Sequence, residues 1–177
     1  RNARAAGKTI RYVVLHYTGM PEPDESRAWL CESKSEVSAH FLIERSGRIW
    51  QLVTEAERAW HAGVSSWQGE TDMNSVSVGI ELVNRGHQWG YQEFPAPQIS
   101  ACAELVQDIM RRHNIPERNI LGHSDIAPQR KEDPGELFPW QELARQGIGF
   151  WPEEKTEENA TPLSLTDARV LLRTIGY

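Results

Sequence analysis

The stretch Ile10-Arg11-Tyr12-Val13-Val14-Leu15-His16-Tyr17 decides how the rest of the chain is read. It combines β-branched and aromatic residues with almost no polar interruption, the pattern of a strand covered on both faces. His16 stands at its C-terminal end, where the apolar run stops.

Upstream, Arg1-Asn2-Ala3-Arg4 is followed by no apolar signal segment. Downstream, past Pro21-Glu22-Pro23, Asp24 is placed to cap a short helix running to about Cys31. Ala39 to Glu44 and Arg48 to Val53 read as two strands joined by a turn at Ser46-Gly47, and so as a hairpin. Val76 to Val83 is the next strand. Between them, residues 59–69 are rich in Gly, Ser and Trp without a sustained period and read as a loop carrying aromatic surface, the kind of segment that meets ligands.

From Pro97 to His113 the apolar residues Ile99, Cys102, Leu105, Val106, Ile109 and Met110 recur at spacings of three and four, which predicts a one-sided helix packed on the sheet. The strand Ile120-Leu121-Gly122 then delivers His123. A short helix near Trp140 to Gln146 is expected to stop at Gly147. Residues 152–163 turn polar, rich in Glu and Lys, and read as a linker. Ser164 then opens a helical tail, residues 164–177, with Leu165, Ala168, Leu171 and Leu172 on one face.

A length of 177 residues, 39% of them hydrophobic, can bury one sizeable core, so one main domain over residues 1–151 and a tail are expected. The net charge of −6 argues against nucleic acid as a partner, since that binding needs clustered cations. No run approaches the ~18 apolar residues of a membrane span. Cys31 and Cys102 read as two small buried hydrophobes rather than a disulfide.

Three residues able to bind a metal stand at or just past the ends of apolar runs: His16, His123 and Asp133. Two prolines, Pro128 and Pro134, limit the wandering of the loop from His123 onward and bring the carboxylate of Asp133 back toward the imidazole. Two histidines and one carboxylate leave a fourth zinc position open for water, the arrangement of a catalytic site. Lys131 lies two residues before Asp133 and brings a positive charge there. Glu81 is an acid in an otherwise apolar strand, where burial without a partner is expensive, so it calls for a reason.

Five ordered motifs now stand out: Val14-Leu15-His16-Tyr17-Thr18, Ser38-Ala39-His40-Phe41-Leu42-Ile43, Arg58-Ala59-Trp60-His61-Ala62-Gly63, Ser77-Val78-Gly79-Ile80-Glu81-Leu82, and the stretch His123 to Trp140. Over roughly residues 9–151 the chain resembles the zinc-dependent N-acetylmuramoyl-L-alanine amidases, the AmpD/AmiD-like group related to peptidoglycan-recognition proteins and a phage amidase. The resemblance implies an α/β fold with a mixed central sheet flanked by helices, and one zinc ion per chain at one end of that sheet. It also implies hydrolysis of the amide joining N-acetylmuramic acid, including its 1,6-anhydro form, to L-alanine. Carried over by position, His16, His123 and Asp133 match the zinc ligands, Glu81 the general base and Lys131 the group that stabilises the developing oxyanion. The phage relative has a tyrosine where this chain has Ala39, which leaves the base role to Glu81.

Tyr17, His40, Trp60, His61, Asn74 and Asp125 are the candidate substrate contacts. His40 and His61 fit equally a group behind the ligands or a packing residue, and Asp125 a holder of loop hydrogen bonds. His87 and His113 read as ordinary surface histidines. The expected partner is a peptidoglycan or muropeptide fragment, met by a monomer in the bacterial cytoplasm, or in the periplasm if a leader has been removed. The tail is expected to dock on the main domain or to begin a peptidoglycan-binding module. A non-catalytic recognition module of the same fold, or a zinc peptidase acting on another cell-wall amide, are the competing readings.

Overall fold

The computed structural model describes residues 1–152 and 162–177. Along the chain come β1 (Asn2–Ala3), β2 (Tyr12–Tyr17), α1 (Pro23–Cys31), β3 (Phe41–Ile43), β4 (Ile49–Gln51), β5 (Glu57–Arg58), α2 (Met73–Val76) and β6 (Ser77–Leu82). Then follow α3 (Gly86–Trp89), α4 (Ala96–His113), β7 (Ile120–Gly122), α5 (His123–Ile126), α6 (Trp140–Ala144) and α7 (Leu165–Ile175). Five strands form one sheet in the order β4-β3-β6-β2-β7. β2 pairs in parallel with β6 and β7, β3 in parallel with β6, and only the β3–β4 hairpin is antiparallel. This is the mixed sheet flanked by helices that the resemblance implies.

The opening stretch sits in the middle. Val13, Val14 and Leu15 are fully buried because one face of the strand meets α4 and the other meets the segment around α2 and α5. On the first face Val13 and Leu15 join Val78, Ile80 and Leu82 of β6 and Ile99, Cys102, Val106 and Ile109 of α4. Burying each large aliphatic side chain of that stripe contributes about 1.5–3 kcal/mol before entropy is charged against it. Gln98 interrupts the stripe yet is fully buried, because its Nε2 donates to the carbonyls of Ile43 and Val83 and ties α4 to the ends of β3 and β6.

The helix after Pro21 runs to Cys31 as expected, but Glu22 holds the N-cap position and makes no side-chain cap bond; Asp24 falls inside the helix. Cys102 is buried and free, whereas Cys31 is exposed at the end of α1, which corrects its reading as a core residue. The two-stranded β1–β5 ribbon and the short helices α2, α3 and α5 carry no pattern long enough to be read from sequence. Most of the expected linker, residues 153–161, lies outside the described residues. The tail helix begins at the expected cap, with Ser164 Oγ accepting from Asp167 N–H. Only its end docks: the Gln68 N–H donates to the Gly176 carbonyl and the Tyr177 hydroxyl to Asp125, while Leu165, Leu171 and Leu172 stay exposed.

Candidate active site

His16 of β2 pairs in register with Glu81 of β6, so the two side chains leave the sheet side by side on the same face. Toward the strand starts that face is apolar, packed by Tyr12, Val14, Val76 and Leu121. It turns polar at the C-terminal ends of the parallel strands, the place where open α/β sheets hold their ligands. β7 ends at Gly122, whose N–H donates to the Asp125 carboxylate at 2.7 Å, and His123 is the first residue of α5. The chain then loops out and back: Arg130 and Lys131 N–H both reach the Ala127 carbonyl, and Ser124 N–H donates to the Asp133 carbonyl at 2.9 Å.

That loop brings three ligand atoms together. His16 Nδ1 lies 2.9 Å from His123 Nδ1 and 2.9 Å from Asp133 Oδ2, and His123 Nδ1 lies 3.1 Å from the same oxygen. All three residues are buried. His123 Nε2 sits 3.0 Å from the Ala62 carbonyl, which can only accept, so the proton is assigned to Nε2 and Nδ1 keeps a lone pair. Burial pushes the His16 pKa down to about 4, so its ring is neutral at pH 7. Lone pairs and a carboxylate converging at this distance call for a cation between them. A tetrahedral ion with bonds of about 2.0–2.1 Å needs ligand atoms about 3.3 Å apart, so the donor set fits one with little adjustment and leaves a position open.

Glu81 Oε2 is shut off from solvent and has no hydrogen-bond partner among the described residues. Burial first, and repulsion from Asp133 second, push its carboxyl well above the usual value against the pull of Lys131. Glu81, Lys131 and the three ligands share one cleft of about 610 Å³. Of the expected substrate contacts, Tyr17, Trp60 and His61 line this cleft. Its far wall adds residues the sequence reading passed over, the exposed apolar side chains of Trp29 and Val37 together with Leu30.

His40, Asn74 and Asp125, expected as substrate contacts, do not line this cleft. Their polar atoms are committed within the fold, as buried polar groups must be. His40 Nδ1 accepts from Gly79 N–H at 2.9 Å, and its Nε2 sits 3.1 Å from the Glu57 carbonyl. Asn74 Oδ1 accepts from the N–H groups of His61 and Ala62, shaping the loop that carries His61. Asp125 caps Gly122 and takes the Tyr177 hydroxyl.

His87, read as an ordinary loop residue, braces the ligand loop instead. Its Nδ1 is 3.0 Å from the Tyr17 hydroxyl and its Nε2 2.9 Å from Glu136, and its ring stacks on Tyr91. Tyr91 in turn donates to the Pro134 carbonyl at 2.6 Å, beside Asp133. Arg130 is a second brace, donating to the carbonyls of Val64 and Ala62. No spacing rule links these residues, so sequence carries no signal for them.

The model of the N-acetylmuramoyl-L-alanine amidase family matches residues 6–136. The N-acetylmuramoyl-L-alanine amidase AmiD of Escherichia coli is 43% identical over an alignment covering 100% of this chain and 70% of AmiD. The 1,6-anhydro-N-acetylmuramyl-L-alanine amidase AmpD of Haemophilus influenzae is 46% identical over 59% of this chain and 55% of its own length. Among solved structures, AmiD from E. coli in complex with the substrate anhydro-N-acetylmuramic acid-L-Ala-D-gamma-Glu-L-Lys superposes with a TM-score of 0.84 at 42% identity, covering 100% of this chain and 75% of that one. AmpDh3 from Pseudomonas aeruginosa, in complex with an anhydromuramic pentapeptide, gives 0.86 at 35% identity, covering 100% and 78%. No helix among the described residues is long and apolar enough to cross a membrane. With its sheet, its three converging ligands and these likenesses in agreement, the chain belongs to the N-acetylmuramoyl-L-alanine amidase family.

Proposed function

We propose that this chain uses zinc to hydrolyse the amide between the lactyl group of N-acetylmuramic acid, ordinary or 1,6-anhydro, and L-alanine in peptidoglycan fragments. The observation that carries the reading is the pairing of Glu81 with His16 across β6 and β2, which sets a half-buried carboxyl, whose Oε2 has no hydrogen-bond partner among the described residues, beside three residues able to hold a metal. The substrate bound to AmiD and the anhydromuramic pentapeptide bound to AmpDh3 point to the substrate class. AmiD, similar along the whole of this chain, is named for the ordinary N-acetylmuramoyl amide and holds an anhydro substrate in its structure, which supports both sugar forms here.

Zinc held by His16, His123 and Asp133 would lower the pKa of a water to about 7 and polarise the amide carbonyl. Glu81 accepts the proton of the attacking water, as a carboxyl of raised pKa is suited to do, and passes it to the amide nitrogen as the carbon–nitrogen bond breaks. Water oxygen ends on the lactyl carbon as a carboxylate, and the peptide leaves with a free amine. Lys131 places its charge where the carbonyl oxygen becomes negative. Tyr17, Trp60 and His61 bound the space that sugar and peptide enter. The catalytic set is complete within one chain, which supports a monomer as the working unit.

The test is mass spectrometry of an N-acetylmuramoyl tripeptide and its 1,6-anhydro counterpart after incubation with zinc-loaded and chelator-stripped protein. Free tripeptide from both substrates, dependent on zinc, is the expected result. Intact substrates with zinc-loaded, folded protein would overturn the reading in favour of a recognition module. Peptide shortened at an internal bond would indicate a peptidase.

A further inference from the structure

Ser77, Gly79 and Glu81 occupy alternate positions of β6 and face the side of the sheet that His16 faces. His61 lies across this strip. A Cβ at position 79 would stand 2.3 Å from His61 Cγ, so the glycine is what leaves the ring its place. His61 Nδ1 is 3.0 Å from His16 Nε2, and His61 Nε2 is 3.2 Å from Ser77 Oγ. The Ser77 hydroxyl also lies 2.5 Å from the Met73 carbonyl, which can only accept.

These contacts have one consistent direction. The Ser77 proton goes to the Met73 carbonyl, so Ser77 Oγ accepts from His61 Nε2–H. With the His61 proton on Nε2, facing Ser77 Oγ, its Nδ1 offers a lone pair toward His16 Nε2 3.0 Å away. That lone pair accepts from His16 Nε2–H, and His16 Nδ1 is left bare, pointing at His123 Nδ1 and Asp133 Oδ2. The partner ligand, His123, gets the same tautomer from a main-chain acceptor, the Ala62 carbonyl.

We propose that His61 is a positioning residue whose hydrogen-bond chain, running from His16 through His61 and Ser77 to the Met73 carbonyl, fixes the tautomer and ring angle of His16 and so sets the metal affinity of the site. The inference rests on the reading of His16 as a metal ligand. It gives His61 a task apart from touching substrate, and it explains why β6 carries serine four and glycine two residues before its acid. Partners of this kind behind a metal-ligating histidine typically change metal affinity 10- to 100-fold when removed.

Long-range proton–nitrogen NMR of the histidine side chains, recorded with and without zinc, reads the tautomers directly. Zinc should shift His16 Nδ1 and His123 Nδ1, while His61 should carry its proton on Nε2. Shifted ligand nitrogens with the His61 proton on Nδ1 would overturn the relay but leave the metal site standing. Ligand nitrogens that ignore zinc would overturn the ligand reading and the relay with it. Chelator competition supplies the second readout. His61→Ala should weaken zinc binding about 10- to 100-fold, whereas His61→Asn, whose Oδ1 can replace the Nδ1 acceptor, should recover most of it. Equal zinc affinity in folded His61→Ala and wild-type protein would also overturn the proposal.

Discussion

Lys131 stands on the return limb of the loop that closes over the metal site, two residues from Asp133 and on the wall of the same cleft as Glu81. In the proposed function its charge stabilises the developing oxyanion, so Lys131→Met should lower kcat about 100- to 1000-fold. KM and zinc content should change little, as steady-state kinetics and elemental analysis of the purified variant would show; a rise in KM with kcat unchanged would make Lys131 a binding group instead. At this scale the residues proposed as metal ligands and as base stand out because they break a local rule: a histidine ending an apolar strand, an acid within one. His40, Asn74 and Asp125 lie outside the cleft for the opposite reason. They lie next to informative motifs in sequence, yet burial commits their polar atoms to backbone groups, and nothing in a residue's type reveals which way it turns.

The register of β6 against β2 is the structural fact from which the site's geometry follows. Period-two alternation sends Val78, Ile80 and Leu82 into the α4 core and Ser77, Gly79 and Glu81 to the face of His61 and His16. Gly79→Ala therefore meets the His61 ring rather than empty space. The backbone of a central strand cannot retreat, so the ring must shift. We expect destabilisation of about 1–3 kcal/mol, the usual range for overpacking, read as a lowered Tm, together with weaker zinc binding; a variant as stable and as tight as wild type would show that the ring has room to move. Helix α4 was readable because its apolar residues recur at spacings of three and four, and strands β2 and β6 because each is a nearly continuous apolar run. The four-residue helices were not, since a single turn has no period; α2 and α5 are held by the packing of Met73, Val76 and Ile126 under the sheet.

Across the whole molecule, distant segments are fastened at the end of α4 by charge. Glu55 accepts from Arg112 Nη1 at 2.5 Å and Nη2 at 2.9 Å, with His113 Nε2 2.5 Å away. Burial alone would raise the Glu55 carboxyl, but the hydrogen bonds from Arg112 and His113 outweigh it and hold the carboxyl below its usual 4.5. A depressed folded-state pKa stabilises above the unfolded value, and that stability is lost as pH falls through the folded value. Glu55→Gln should thus cost about 1 kcal/mol at pH 7, allowing for solvent screening, or about 2–4 °C in Tm for a domain of this size. The gap should narrow as the pH drops below 4.5, and thermal melts of both proteins across that range would check it; a gap that widens in acid would contradict the assignment. This clasp joins residues far apart in the chain, which is why sequence gave His113 no role beyond the helix end.

The most direct measurement is hydrolysis of an N-acetylmuramoyl tripeptide by zinc-loaded protein in oxygen-18 water, with the products weighed and fragmented, beside a Glu81→Gln control. The expected result is one heavy oxygen in the lactyl carboxylate of the sugar, an unlabelled peptide with a free alanine amine, and a rate about 100- to 10,000-fold lower in the control at equal zinc content. Label in a carboxylate of the peptide, or full turnover by the Glu81→Gln variant, would contradict the site as assigned.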